Sequence, residues 1–176
     1  MNKLRFLTLL LLVVAGVNGW GQSEIDSERS TVDFTILNNG KEVKGSLKGI
    51  TGTIFFSPDM IGKSHFSASI PVKNIRTGNS VRDEHLLQED FFFAANFPNI
   101  DFMSTGVTQT AAGYVLNGKL TFHGVSKEVS IPFTYSADDK KFEGAFELMR
   151  LDYGVGDDDT KAIGNSVSIS LVCYTK

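Results

Sequence analysis

GYVLNGKLTFHG, residues 113–124, is the stretch on which the fold turns. Tyr114, Leu116, Leu120 and Phe122 share one side of an extended chain; Val115, Asn117, Lys119, Thr121 and His123 share the other. Successive side chains of a strand point to opposite faces, so this alternation describes a strand with one face in a core and one in water. EVSIPFTY, residues 128–135, repeats the pattern with Val129, Ile131, Phe133 and Tyr135. Two such runs this close together are antiparallel neighbours, because a parallel pair needs a crossover of a dozen or more residues.

The same period continues in both directions. Val32, Phe34 and Ile36 share a face of STVDFTIL, and Asn38-Asn39-Gly40 then marks a turn, since Asn and Gly tolerate positive φ. Val43 and Leu47 follow, and Gly49 and Gly52 suggest a bend or bulge. Ile54 and Phe56 extend the face until Ser57-Pro58-Asp59 interrupts it. Phe66, Ala68, Ile70 and Val72 form another set, and Ile100, Phe102 and Ser104 the next. Phe142, Phe146 and Leu148, then Val167, Ile169, Leu171 and Cys173, complete the series. Eight or nine strands with short, turn-rich links predict an all-β, antiparallel barrel or sandwich.

The main interruption is TGNSVRDEHLLQEDFF, residues 77–92. Ser80 with Asp83 three residues on has the spacing of a capping box, and Asp83 and Glu84 fall where a helix dipole favours negative charge. A short helix starting at Ser80 is therefore expected.

Residues 1–21 read as a secretory signal peptide: Lys3 and Arg5, an apolar run from Phe6 to Val14, then small residues with a cut expected between Gly19 and Gly21. The apolar run is far shorter than the roughly 20 residues of a membrane span, so no stable membrane insertion is expected after cleavage. Removing those two cations leaves 15 Lys+Arg of 17 against 20 Asp+Glu, a mildly acidic chain ill suited to nucleic acid. Cys173 is the only cysteine, so an exported chain must be held by its core.

Little in the sequence resembles catalytic or metal chemistry. His65, His85 and His123 have no i, i+2 or i, i+4 partner, so no local zinc pattern exists. Asp157, Asp158 and Asp159 are contiguous, where calcium loops alternate their ligands, so a solvated loop is expected. There is no G-x-S-x-G, and Cys173 sits on an apolar strand face as a small core residue. No cofactor is expected. An acid–base enzyme built on Asp83, Glu84, His85, Glu89 and Asp90 is the competing reading, with a ligand-free interaction barrel as a third. The apolar faces carry many of the 14 phenylalanines, and periodicity alone leaves open whether they fill a core or line a cavity wide enough for one small ligand.

TGNSVRDEHLLQEDFF, NFPNIDFMST, NGKLTFHGVSKEVSIPF and LMRLDYGVG, in this order and at these gaps, resemble the YceI-like family from about Ser27 to residue 176. The resemblance implies an eight-stranded, antiparallel, lipocalin-like barrel over residues 27–176, with one short helix between strands. It also implies a long apolar pore that holds a polyisoprenoid or another long-chain amphiphile, no firmly attached enzymatic activity, and a periplasmic or secreted location. Arg82, Asp83, Glu84 and His85 match the family's RDEH, and Arg150, Asp152, Tyr153 and Gly154 its R-x-DYG. Phe93, the Asn38-Asn39-Gly40 turn and the acidic loop before Gly164 depart from the family pattern.

On that basis Phe34, Ile54, Phe56, Phe66, Ile70, Phe102, Leu116, Phe122, Phe133, Phe146 and Leu148 are expected to line the pore. Arg82 and His85 are expected at a polar mouth, with Arg82 the better partner for an anionic head group. Outward-facing Val115, Met149 and Tyr174 are compatible with a homodimer.

Overall fold

The computed structural model describes residues 21–176. The expected signal peptide, apart from Gly21, lies outside the described residues. The chain forms one curled antiparallel sheet, half-barrel in outline, with one short helix. Its strands are β1 (Ser23–Glu24), β2 (Thr31–Asn38), β3 (Lys41–Lys48), β4 (Thr51–Phe55), β5 (His65–Pro71) and β6 (Ile75–Arg76). The helix α1 (Ser80–Leu86) follows, then β7 (Asn99–Thr110), β8 (Gly113–Phe122), β9 (Val125–Ser136), β10 (Lys141–Met149) and β11 (Ile163–Tyr174). Short 3-10 segments occupy Pro58–Lys63 (kinked at Met60), Val72–Asn74 and Arg150–Tyr153. The order across the sheet is β1-β4-β5-β7-β8-β9-β10-β11-β2-β3-β6.

The expectation of eight strands is corrected to eleven, and the difference has local causes. β3 and β4 are one run bent at Gly49-Ile50, with Gly49 at a φ of 80°. β5 and β6 are one run interrupted by the Val72–Asn74 turn; Val72, which opens the turn, and Ile75, which follows it, are fully buried. β1 is a two-residue edge strand on β4, too short and polar to announce itself in the sequence.

Two glycines let aromatic rings cross the inner wall. Phe34 pairs with Gly45, and a Cβ there would come within 2.2 Å of the Phe34 ring. A Cβ on Gly118 would come within 2.5 Å of the Phe102 ring. Both glycines sit mid-strand, where they weaken the local ladder, and close approach by a ring is the reason such positions exist. In β7 a bulge between Ser104 and Gly106 changes the face, so that Val107 points inward and is buried.

The β8–β9 hairpin turns at His123-Gly124, with φ of 51° and 75°. This is the positive-φ pair that a tight two-residue hairpin requires. His123 is therefore a turn residue and not, as its spacing suggested, an outward position of β8. Its Nδ1 lies 3.0 Å from the Tyr153 carbonyl oxygen, and its ring packs edge-on against Phe97.

Candidate functional site

The strands' inward faces surround a cavity of about 770 Å³. Its walls are Phe, Ile, Leu and Val side chains from nearly every long strand. Phe34, Phe102, Phe146, Ile169 and Leu171 all point into it, yet they are only half-buried. Inward residues that retain accessible surface face a void; a solid core at interior packing density would cover them.

Of the eleven residues expected along a pore, ten contribute to this lining: Phe34, Ile54, Phe66, Ile70, Phe102, Leu116, Phe122, Phe133, Phe146 and Leu148. Phe56 does not, which corrects that expectation. Its ring lies in an aromatic cluster with Phe66, Tyr114, Phe133, Tyr135 and Phe142. Strand alternation could not show this, because Phe56 follows the last residue of β4 and is no longer held by the ladder. Sequence reasoning also left out Val32, Ile36, Ile100, Leu120, Phe142 and Val167, which line the cavity and carry the same period-two signal.

At the other end the cavity is bordered by α1, by Asn38 and Asn39 of the β2–β3 turn, and by Ala162 and Ile163. Helix α1 is capped by Asn79, whose side chain accepts a hydrogen bond from the Arg82 backbone N–H at 3.1 Å. Ser80 is the first helical residue, so the expected Ser80 cap is corrected. The Asp83 carboxylate turns instead to Thr77, accepting from its backbone N–H at 2.8 Å and from its hydroxyl. A threonine two residues before the cap, already bonded by the acid, outcompetes the capping box.

Arg82 and His85 both border the cavity. The Arg82 Nε and Nη2 donate to the Thr77 hydroxyl at 2.8 Å and to its carbonyl at 2.9 Å. Among the described residues no carboxylate forms an ion pair with Arg82. His85 is exposed, lies 2.8 Å from the Asp90 carboxylate and packs edge-on against Phe91. Glu84 is exposed. Within the charged run Arg82 and Asp83 thus share Thr77 as partner, whereas His85 turns to Asp90.

Arg150 also reaches the cavity wall, at 3% exposure. It donates to the carbonyls of Val155, Asp157, Ile163 and Gly164 at 2.6–3.0 Å, which ties down the loop carrying the three aspartates. In that loop Asp159 accepts from the backbone N–H groups of Lys161 and Ala162. Among the described residues no group of three or more metal-ligating side chains converges. Burial pushes the Tyr153 phenol up, with the Asp152 carboxylate adding to the shift. Cys173 lines the far end of the cavity, and burial pushes its thiol up to about 11.

Residues 24–174 match the YceI-like domain. The UPF0312 protein of Pseudomonas savastanoi pv. phaseolicola is 28% identical over 140 residues, covering 74% of this chain and 73% of that protein. Protein YceI of Salmonella arizonae is 29% identical over 133 residues, covering 74% and 70%. Among solved structures, Burkholderia cenocepacia BcnA is similar with a TM-score of 0.79 at 23% identity, covering 85% of this chain and 98% of that one. A polyisoprenoid binding domain from Saccharophagus degradans, implicated in plant cell wall breakdown, gives a TM-score of 0.65 at 12% identity, covering 89% and 99%. At these identities the structural likenesses establish the fold.

Proposed function

Because this chain belongs to the YceI-like domain family, we propose that it is an exported, non-enzymatic binding protein whose cavity holds the tail of a polyisoprenoid or similar long-chain amphiphile, as a carrier or store. The observation that carries this is the apolar void of about 770 Å³, into which half-buried phenylalanines point. The neighbour from Saccharophagus degradans, described as a polyisoprenoid binding domain, supports the same ligand class. Counting each bent run once and setting β1 aside, eight long runs surround the void; β3 and β6 pair at one end of the order, and the chain joins them to β4 and β5, which pair near the other end. That arrangement supports a lipocalin-like barrel.

The driving force is desolvation. Each methylene taken from water gains about 0.8 kcal/mol, so ten offer roughly 8 kcal/mol before the losses of immobilisation. Arg82, which borders the cavity, is our candidate for an anionic or polar head: Nε and Nη2 are held by Thr77, and Nη1 has no hydrogen-bond partner among the described residues. His85, already bonded to Asp90, contributes less. Export rests on the pattern of residues 1–21.

Native mass spectrometry of the protein purified gently from its own cell envelope tests the proposal. The expected result is a bound mass in the range of a long-chain amphiphile that leaves on organic extraction. Repeated absence of any such mass, together with no uptake of an added isoprenoid alcohol, would overturn it.

A further inference from the structure

We infer that Phe56 is the stopper of the cavity and sets the longest chain it accepts, an assignment that rests on the amphiphile reading above. Phe56 directly follows β4; Tyr114 is the second residue of β8, Tyr135 the last but one of β9, and Phe142 the second of β10. Neighbouring strands run antiparallel, so these four positions gather at one end of the sheet. That end is opposite α1 and the Asn38-Asn39 turn. The Phe56 ring lies 4.9 Å from Tyr114, 4.9 Å from Tyr135, 5.5 Å from Phe142 and 5.6 Å from Phe133, centroid to centroid. Phe133 and Phe142 line the cavity, whereas Phe56 stands behind them.

Phe56 is half-buried, and Ile61 of the Pro58–Lys63 turn packs against the same cluster. These rings form an aromatic layer at the apolar end of the cavity, with Phe56 backing Phe133 and Phe142. The next residue, Ser57, is 1% exposed and its backbone N–H donates to the Ser64 hydroxyl at 3.2 Å. The Ser64 N–H in turn donates to the Ile61 carbonyl at 3.0 Å. The Pro58–Lys63 turn is thereby folded back on itself, which holds the ring in place.

The depth of the cavity follows from β11, which lines it from Ile163 to Cys173. Ten strand steps of about 3.3 Å, tilted by about 40°, span about 25 Å along the axis. An extended chain of single bonds advances about 1.2 Å per bond, as three backbone bonds span about 3.6 Å. The cavity therefore accepts a linear chain of about 20 bonds before its end meets the aromatic layer.

The test is displacement of a fluorescent fatty-chain probe by unbranched primary alcohols from about ten to about thirty carbons. For the unsubstituted protein, affinity should rise about three- to fourfold per added carbon and then level off near 20 carbons. In Phe56→Ala the rise should continue past that ceiling, because Phe133 and Phe142 lose the ring that backs them and can yield to the chain end. Phe56→Val, a milder truncation, carries the same expectation if the alanine variant does not fold, and circular dichroism checks folding in each. A rise with no ceiling, or an unchanged ceiling in the folded variants, would overturn the stopper while leaving the cavity as the binding site. Failure of alcohols of every length to bind would overturn the amphiphile reading itself, and the stopper with it.

Discussion

Arg150 brings a guanidinium to 3% exposure, and among the described residues no carboxylate forms an ion pair with it. Four carbonyl oxygens accept its hydrogen bonds instead, from Val155, Asp157, Ile163 and Gly164. A buried charge is tolerable only when its hydrogen-bonding capacity is met, and removing one partner leaves the others stranded. Arg150→Met should therefore lower stability by about 3 kcal/mol in urea denaturation; a loss below about 1 kcal/mol would show that the loop does not depend on it. Cys173 makes a different case. Burial pushes its thiol up to about 11, against a weaker opposing contact with Ser30. A thiol whose folded pKa is raised holds its proton more tightly when folded, so its contribution to stability is complete below the unfolded value and is lost as pH rises toward 11. The thiolate is the reactive form. Iodoacetamide at pH 8.5 or so, near the free thiol's pKa, should label the native protein far more slowly than the urea-unfolded chain, and equal rates would contradict this. The histidines were legible as isolated residues, but His123's role as a positive-φ turn residue was not. The alternation of its neighbours placed it in a strand.

At the scale of elements, α1 shows why a charge-rich segment misleads. Ser80-Val81-Arg82-Asp83 has the spacing of a capping box, but Asn79 takes the cap and Asp83 bonds Thr77. The pattern identifies a helix start to within one residue, and which of two adjacent cap-forming side chains wins depends on where Asp83 finds its donors. Asn79→Ala should lower stability by about 1 kcal/mol and expose the Arg82 amide to faster hydrogen exchange, whereas Ser80→Ala should change it little. Equal effects, read by thermal denaturation and exchange together, would count against the Asn79 cap. The long strands were legible because each keeps one apolar face: β8 and β9 can be read nearly residue by residue. The breaks that raise the strand count were not. Gly49 signals a bend, but no local pattern tells that the run after β5 will turn through Val72–Asn74 and then pair with β3. That pairing is set by the curvature of the whole sheet. The bulge at Ser104–Gly106 escaped for a related reason: one inserted residue exchanges the two faces, so Val107 appears outward by simple counting and is in fact buried.

For the whole molecule, the question left open by periodicity was whether the phenylalanines meet or stand apart. No short-range signal in a sequence decides that, because a packed interior and a lined one require the same alternation. The answer lies in how the sheet curls: its long runs carry their inward side chains around a space that those side chains line and do not fill. A void of about 770 Å³ forgoes the contacts that filling it would provide, so the empty protein gives up stability that an occupant restores. A ligand at a hundred times its dissociation constant returns about 2.7 kcal/mol by mass action. Filling part of the space with side chain should have the opposite consequences for stability and for uptake. Ala68, on the inward face of β5, lines the cavity and packs against the cluster around Phe66. Ala68→Leu adds about three apolar carbons there, worth roughly 2 kcal/mol of burial less about 0.5–1 kcal/mol of side-chain entropy. The empty variant should thus melt at a higher temperature than the parent, while taking up less of an added isoprenoid alcohol and gaining less thermal stability from it. A variant less stable when empty would mean that Ala68 has no room to grow and that the walls close around it. Unchanged uptake in a stabilised variant would mean that the amphiphile occupies some surface other than this interior.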